Sequence, residues 1–231
     1  MTTIRHAAPT LRFFFQLEMV EGKDRPSHFP KPEFEEKGKT VGLLLRLTRS
    51  FWHTGRLVVL DSGFCVLKGI SELFRKGVFA SSLIKKRRYW PRHVPGDAIQ
   101  ERFESKSLGE VDILHGKMEG INVSIVVMKD KGYNMLLMSS YGTGELTRPS
   151  KMRSNGQSIQ YPDVVANHYA HRGAVDEHNS QRMSPAPIEV AWRTKWWPSR
   201  VFSFLLGVTK INVKMAMEYL YKAEETTVIQ F

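Results

Sequence analysis

The sequence predicts an α/β fold, a mixed sheet flanked by helices, on three observations. Residues 56–84 read as strand, helix and strand; residues 110–140 hold three alternating runs separated by turn signals; and residues 164–221 carry helical periodicity. A crossover helix implies a parallel strand pair, whereas a meander implies antiparallel ones, so a sheet containing both is mixed.

Taken in order, Leu11 to Val20 is apolar enough for a strand or short helix, and the following EGKDRPSHFPKPEFEEKGK is charged and proline-rich, hence a linker. Residues 1–39 are therefore set apart from a core over 40–222, with a tail at 223–231. In TVGLLLRLTRSFWH, apolar residues at Val41, Leu44, Leu45, Leu47 and Phe51 keep helical spacing, with Thr40 as the expected N-cap. Gly55 ends that helix. The run from Arg56 to Asp61 alternates too little for an exposed strand and is expected to be a central one covered on both faces. Ser62 can cap a helix that turns Val66, Leu67, Ile70, Leu73 and Phe74 inward before Gly77, and Val78 to Ile84 is the next strand.

Residues 110–117, 121–128 and 133–140 follow, with turns at Met118-Glu119-Gly120 and Asp130-Lys131-Gly132. Beyond Val164, one helical stripe holds Val201, Phe204, Leu205, Val208, Ile211 and Met215. The tryptophans Trp192, Trp196 and Trp197 border it and are expected to pack between helices.

Lysine and arginine number 34 against 23 acidic residues, a net charge of +11, which suits a polyanion such as DNA or RNA, or else a generally solvated surface. The single cysteine, Cys65, excludes an intrachain disulfide and a Cys-rich zinc module; it falls on an apolar helix face and is expected to be a buried small hydrophobe. No apolar run approaches the ~20 residues of a membrane helix. These features suggest a reducing compartment, cytoplasmic or nuclear.

Chemistry concentrates on Asp61. A carboxylate at the carboxyl end of a buried strand stands where open α/β sheets place ligands; capping the next helix is the equal alternative. In HYAHRGAVDEHNSQR, Asp176 and Asn179 are three apart and share a helical face. His168 and His171 share one as well, but no cysteine or acidic pair accompanies them to suggest zinc.

The ordered set HTGRLVVLDSGF, GVFASSLIKKRRYWPRHVPGD, HYAHRGAVDEHNSQR and PIEVAWRTKWWPSRVFSFLLGVTKINVKMA resembles the piggyBac-type transposase family over roughly Thr40 to Tyr221. The resemblance implies a ribonuclease-H-like fold in which aspartates hold divalent metal, Mg²⁺ or Mn²⁺, for DNA cleavage and integration at TTAA targets. It assigns Asp61 to the first metal-binding, catalytic Asp and Asp176 to the third; Asn179 stands at a neighbouring acidic position, where it keeps an oxygen but loses the charge. The second Asp should follow the strand ending at Ser140, where this chain reads Tyr141-Gly142-Thr143-Gly144.

Asp130, at the opposite end of that strand, is roughly 27 Å away at about 3.4 Å per residue and reads as a hairpin-turn residue. Glu145 is the acid within reach as a substitute. Strand cleavage is thus expected to be weak or absent, and a non-catalytic DNA-binding domain is the alternative. The resemblance gives Lys85, Lys86, Arg87, Arg88 and Arg92, interleaved with Tyr89 and Trp90, to DNA contact. It also implies a nuclear protein with DNA as partner, no membrane, and compatibility with a homodimer. Relative to the family the chain is expected to be truncated, without the C-terminal Cys-rich zinc domain.

Overall fold

The computed structural model describes residues 14–19, 33–85, 91, 94–142, 146–151, 158–183 and 187–228. These form two compact units, one over Glu18–Arg172 and the other joining residues 14–17 to 173–228.

In the first unit, α1 (Lys39–Thr48) precedes β1 (Leu57–Leu60), α2 (Leu67–Arg75) and β2 (Phe79–Leu83), then α3 (Gly96–Glu104). The meander follows as β3 (Val111–Met118), β4 (Ile121–Asp130) and β5 (Tyr133–Ser139); a separate two-stranded ladder, β6 (Leu146–Lys151) with β7 (Ser158–Pro162), leads into α4 (Asp163–His171). The five-stranded sheet has the order β1-β2-β5-β4-β3. β1 and β2 are parallel, while β2, β5, β4 and β3 pair antiparallel in succession. The class is α/β, a mixed sheet flanked by helices, compatible with a ribonuclease-H-like fold.

The strand period of two sorts side chains onto two faces. Val123, Ile125 and Val127 of β4, with Leu136 and Met138 of β5, meet Leu44, Leu45, Ile70, Leu73, Ile99 and Phe103 of α1, α2 and α3. The intervening Val126, Met128, Met135 and Leu137 meet Val164 and Val165 of α4. The β3–β4 hairpin turns through Glu119 and Gly120, both at positive φ (51° and 79°), as a tight turn matching right-handed strand twist requires.

The second unit holds α5 (Ala174–Arg182), α6 (Ile188–Ala191) and α7 (Trp197–Val228). Its buried stripe on α7 includes Val208, Ile211 and Met215. Asn212 accepts from the Phe14 N–H and donates to the Phe14 carbonyl, each at 3.1 Å, so one amide side chain satisfies an extended backbone residue. The Phe14 ring packs tilted against buried His178, 4.0 Å between centroids.

Five expectations are corrected. Thr40 does not cap α1, which begins one residue earlier behind Gly38, whose positive φ of 101° turns the chain into the helix. Ser62 does not cap α2: a 3₁₀ turn, Ser62–Phe64, and an extended Val66 intervene and carry Cys65 into the core before the helix starts. β1 is an edge strand, because the meander docks on β2 and leaves only one hydrogen-bonding side of β1 paired. Trp192, Trp196 and Trp197 are exposed by 52%, 66% and 55%; Trp192 stacks on Phe202, and Leu205 of the α7 stripe also faces solvent. The order of the crossover unit, the meander and buried Cys65 are as expected, except that Phe74 of α2 is exposed rather than turned inward; burial pushes the Cys65 thiol up. Residues 14–19 contain neither helix nor strand.

Candidate nucleic-acid interface and acid site

Asp61 continues β1 into the 3₁₀ turn. Its carboxylate makes no capping hydrogen bond, so of its two sequence readings the cap is the one the local geometry does not use. Its backbone carbonyl is held instead, accepting from Phe64 N–H at 2.9 Å and from the Ser82 hydroxyl at 3.3 Å, while the side chain is exposed. Backbone anchoring with a solvated carboxylate fixes where the acid starts and leaves its oxygens available.

Behind Asp61 lies His168 of α4, 5% exposed, with its Nδ1 buried and unpartnered. Burial, then the charge of Arg172, hold this imidazole below its ordinary range, and the Asp61 charge pulls the other way. Sequence reasoning considered His168 only as a zinc ligand. The better signal was its place in VVANHY, three positions past Val165 and hence on the helix face that seats α4 on the sheet.

The strand register locates the place of the missing carboxylate. Leu60 pairs with Ser82, Leu83 with Leu137, and Ser81 with Ser139, so Asp61 is level with Leu137. Tyr141 lies four residues further toward the other end of the sheet, about 13 Å along the strand. There the chain is tightly held: Tyr141 N–H donates to the Ser139 hydroxyl at 3.0 Å, which donates to the Tyr141 carbonyl at 2.7 Å, and Tyr141 packs edge-on against Phe79.

Gly142 has a φ of +88°, and a Cβ built there would lie 2.5 Å from Oδ2 of Asp163. A side-chain acid at this position is therefore opposed twice, by backbone conformation and by a carboxylate already in the space. Asp163, the first residue of α4, accepts from the Val164 N–H at 2.7 Å and complements the positive helix terminus. Sequence reasoning missed it; a Pro-Asp pair opening a helix was the available signal.

Asp130 is committed elsewhere. It accepts from the Tyr169 hydroxyl at 2.5 Å and from Lys131 N–H at 2.7 Å, and Arg172 lies over the Tyr169 ring at 4.6 Å. Burial pushes Asp130 up, but these bonds, with Tyr133 and Arg172, outweigh it and hold the carboxyl below its ordinary value.

Asp176 and Asn179 belong to the second unit. α5 carries Asp176 exposed in its first turn, and Asn179 half-buried one turn on, with its Oδ1 accepting from Arg182 at 3.4 Å. Arg182 also pairs with Glu189. Among the described residues no three His, Cys, Asp or Glu side chains gather closely enough to hold a metal ion. An amide oxygen bonded to a guanidinium is a poor cation ligand, so among the described residues neither unit by itself gathers a divalent-metal ligand set. Of the basic run, Lys85 is exposed just past β2, whereas Lys86, Arg87, Arg88 and Arg92 lie outside the described residues, as does Glu145. No described helix is long and apolar enough to cross a membrane.

The family model described as Transposase IS4, of the DDE type, matches residues 8–213. No curated protein and no solved structure matches the chain. With that match spanning most of the sequence and a mixed α/β sheet carrying an available Asp at a strand end, the chain belongs to the Transposase IS4 family of DDE transposases.

Proposed function

We propose that this chain is a piggyBac-type transposase derivative that binds DNA and whose cleavage and transfer of DNA strands is weak or absent. The observation that carries the reading is Gly142: where a second carboxylate should follow β5, the chain has a left-handed glycine beneath the Asp163 carboxylate. The family generally uses a divalent metal. In this chain Asp61 and Asp176 are the carboxylates proposed for Mg²⁺ or Mn²⁺, with Asn179 a weaker neutral neighbour and Glu145 the substitute acid. Loss of one charge from such a set removes several kcal/mol, roughly, of transition-state stabilisation. The net charge of +11 and the run Lys85, Lys86, Arg87, Arg88 and Arg92 support a DNA backbone contact, and with it a nuclear location. A homodimer is compatible with this reading.

Nicking of supercoiled duplex DNA with Mg²⁺ tests it, against Asp61→Ala. The expected result is slow or undetectable nicking; brisk cleavage that Asp61→Ala abolishes overturns the proposed loss of chemistry. The second reading, a purely non-catalytic DNA-binding domain, is favoured by the same glycine. It predicts salt-dependent DNA binding unchanged by Asp61→Ala and lost when Lys85 to Arg88 are neutralised.

A further inference from the structure

The face of the sheet beneath α4 changes character partway along its strands. On β4 the face reads Met128, Val126, Ser124, Asn122; the paired positions of β3 read Val111, Ile113, His115, Lys117. On β5 it reads Met135, Leu137, Ser139. Apolar side chains give way to polar ones at one level on all three strands, and α4 covers the apolar part through Val164 and Val165. Beyond the start of α4 the polar part lines a cleft of about 580 Å³ with His115, Lys117, Asn122 and Ser124, and Ser140, just past β5, also borders it.

The composition of this cleft is one-sided. His115, Lys117 and Asn122 offer hydrogen-bond donors, Lys117 is a cation, and no carboxylate is among the described lining residues; the Ser140 hydroxyl is already held by the Ala80 N–H at 3.0 Å. His115 Nδ1 and the Ser124 hydroxyl are 2.9 Å apart, which holds the imidazole by one nitrogen. Gly116 and Gly142 also line it, so backbone is approachable at both edges. The bordering acid, Asp163, lies against Gly142 and accepts from the Val164 N–H of its own helix terminus.

We infer that this half-face is a subsite for a phosphate group, supplied by one phosphodiester strand of bound DNA. The inference rests on the DNA-binding reading above and adds a location remote from the run at Lys85. A phosphate oxygen would accept from Lys117, Asn122 and His115, all at exposed positions, with sequence-independent affinity of the backbone-contact kind.

The test is fluorescence anisotropy of the full chain with a short labelled duplex across a salt series. Lys117→Gln and Asn122→Ala, both at exposed positions, are compared with Lys131→Gln at the β4–β5 turn. Lys117→Gln is expected to weaken binding about five- to tenfold and to lower the salt slope by about 0.9, Asn122→Ala to weaken it about threefold, and Lys131→Gln to change neither. Equal effects of Lys117→Gln and Lys131→Gln would reduce the result to net charge and overturn the subsite. Parent-like binding by both cleft variants overturns the subsite alone, whereas a parent that binds no DNA near physiological salt removes the DNA reading as well. Inorganic phosphate that shifts the His115 resonances while the cleft variants keep full DNA affinity would mean a small-anion site and would equally overturn a strand subsite.

Discussion

Asp61 and Asp130 each close a strand of the same sheet with a carboxylate, yet their surroundings differ in kind. Asp130 is clamped by the Tyr169 hydroxyl and the Lys131 N–H, with Tyr133 and Arg172 close by, and its proton affinity is lowered by that company. Asp61 has its backbone carbonyl fixed and its carboxylate in solvent, with buried His168 behind it. The contrast separates an acid that holds structure together from one that structure holds in place. Position at a strand end does not distinguish them; the hydrogen-bond inventory of the side chain does.

The largest effect expected from this contrast is on stability. Asp130→Ala removes the acceptor of a charged hydrogen bond and leaves the Tyr169 hydroxyl without its partner, a cost of about 1–2 kcal/mol after allowance for partial exposure. Asp61→Ala removes no side-chain hydrogen bond seen among the described residues and should stay within about 0.5 kcal/mol of the parent. Urea unfolding of both variants measures the difference. Equal destabilisation would show that Asp61 is structural after all and would weaken its candidacy as an active-site acid.

A smaller and more specific effect belongs to Tyr169→Phe. Because Asp130 is held below its unfolded proton affinity, it contributes stability that is fully present above the unfolded carboxylate range and is lost as pH falls through the folded value. Tyr169→Phe removes the shortest of its bonds, so the variant should be less stable at neutral pH by roughly 1 kcal/mol and should converge with the parent in acid. Denaturant midpoints at pH 7 and pH 3 test this, and a stability gap that stays constant across that range would remove Asp130 as the cause.

Much of the sheet was legible because it rests on local periodicity. The crossover residues and the three meander strands are read from apolar runs and from turns at Glu119-Gly120 and Lys131-Gly132, all short-range signals. The edge position of β1 was not legible, since sheet order depends on which strand the meander docks against. The exposed tryptophans failed for a related reason: helical spacing identifies a face but not what covers it, and Trp192 finds only Phe202. At the candidate site, the sequence exposed the gap at Tyr141-Gly142, because a missing carboxylate is a missing letter. That the Asp163 carboxylate fills the space above Gly142, and that His115 and Ser124 face one another, are long-range and register facts that no spacing encodes.

The smallest expected effect is the most direct probe of Asp61. His168 is kept below its ordinary proton affinity first by burial and then by Arg172 on its own helix, with Asp61 on β1 acting in the opposite sense. The unfolded chain therefore binds the proton more readily than the fold, and His168 contributes stability at neutral pH that is lost as pH falls from about 6.5 toward its folded value. Replacing Asp61→Asn removes the one charge that favours the imidazolium. The His168 titration, followed by NMR of the imidazole nitrogens, should then move to lower pH, and the acid loss of stability should extend further by the same displacement. A midpoint that does not move would mean that solvent screens the exposed Asp61 carboxylate from α4, and His168 would be a buried packing residue rather than part of the acid's surroundings.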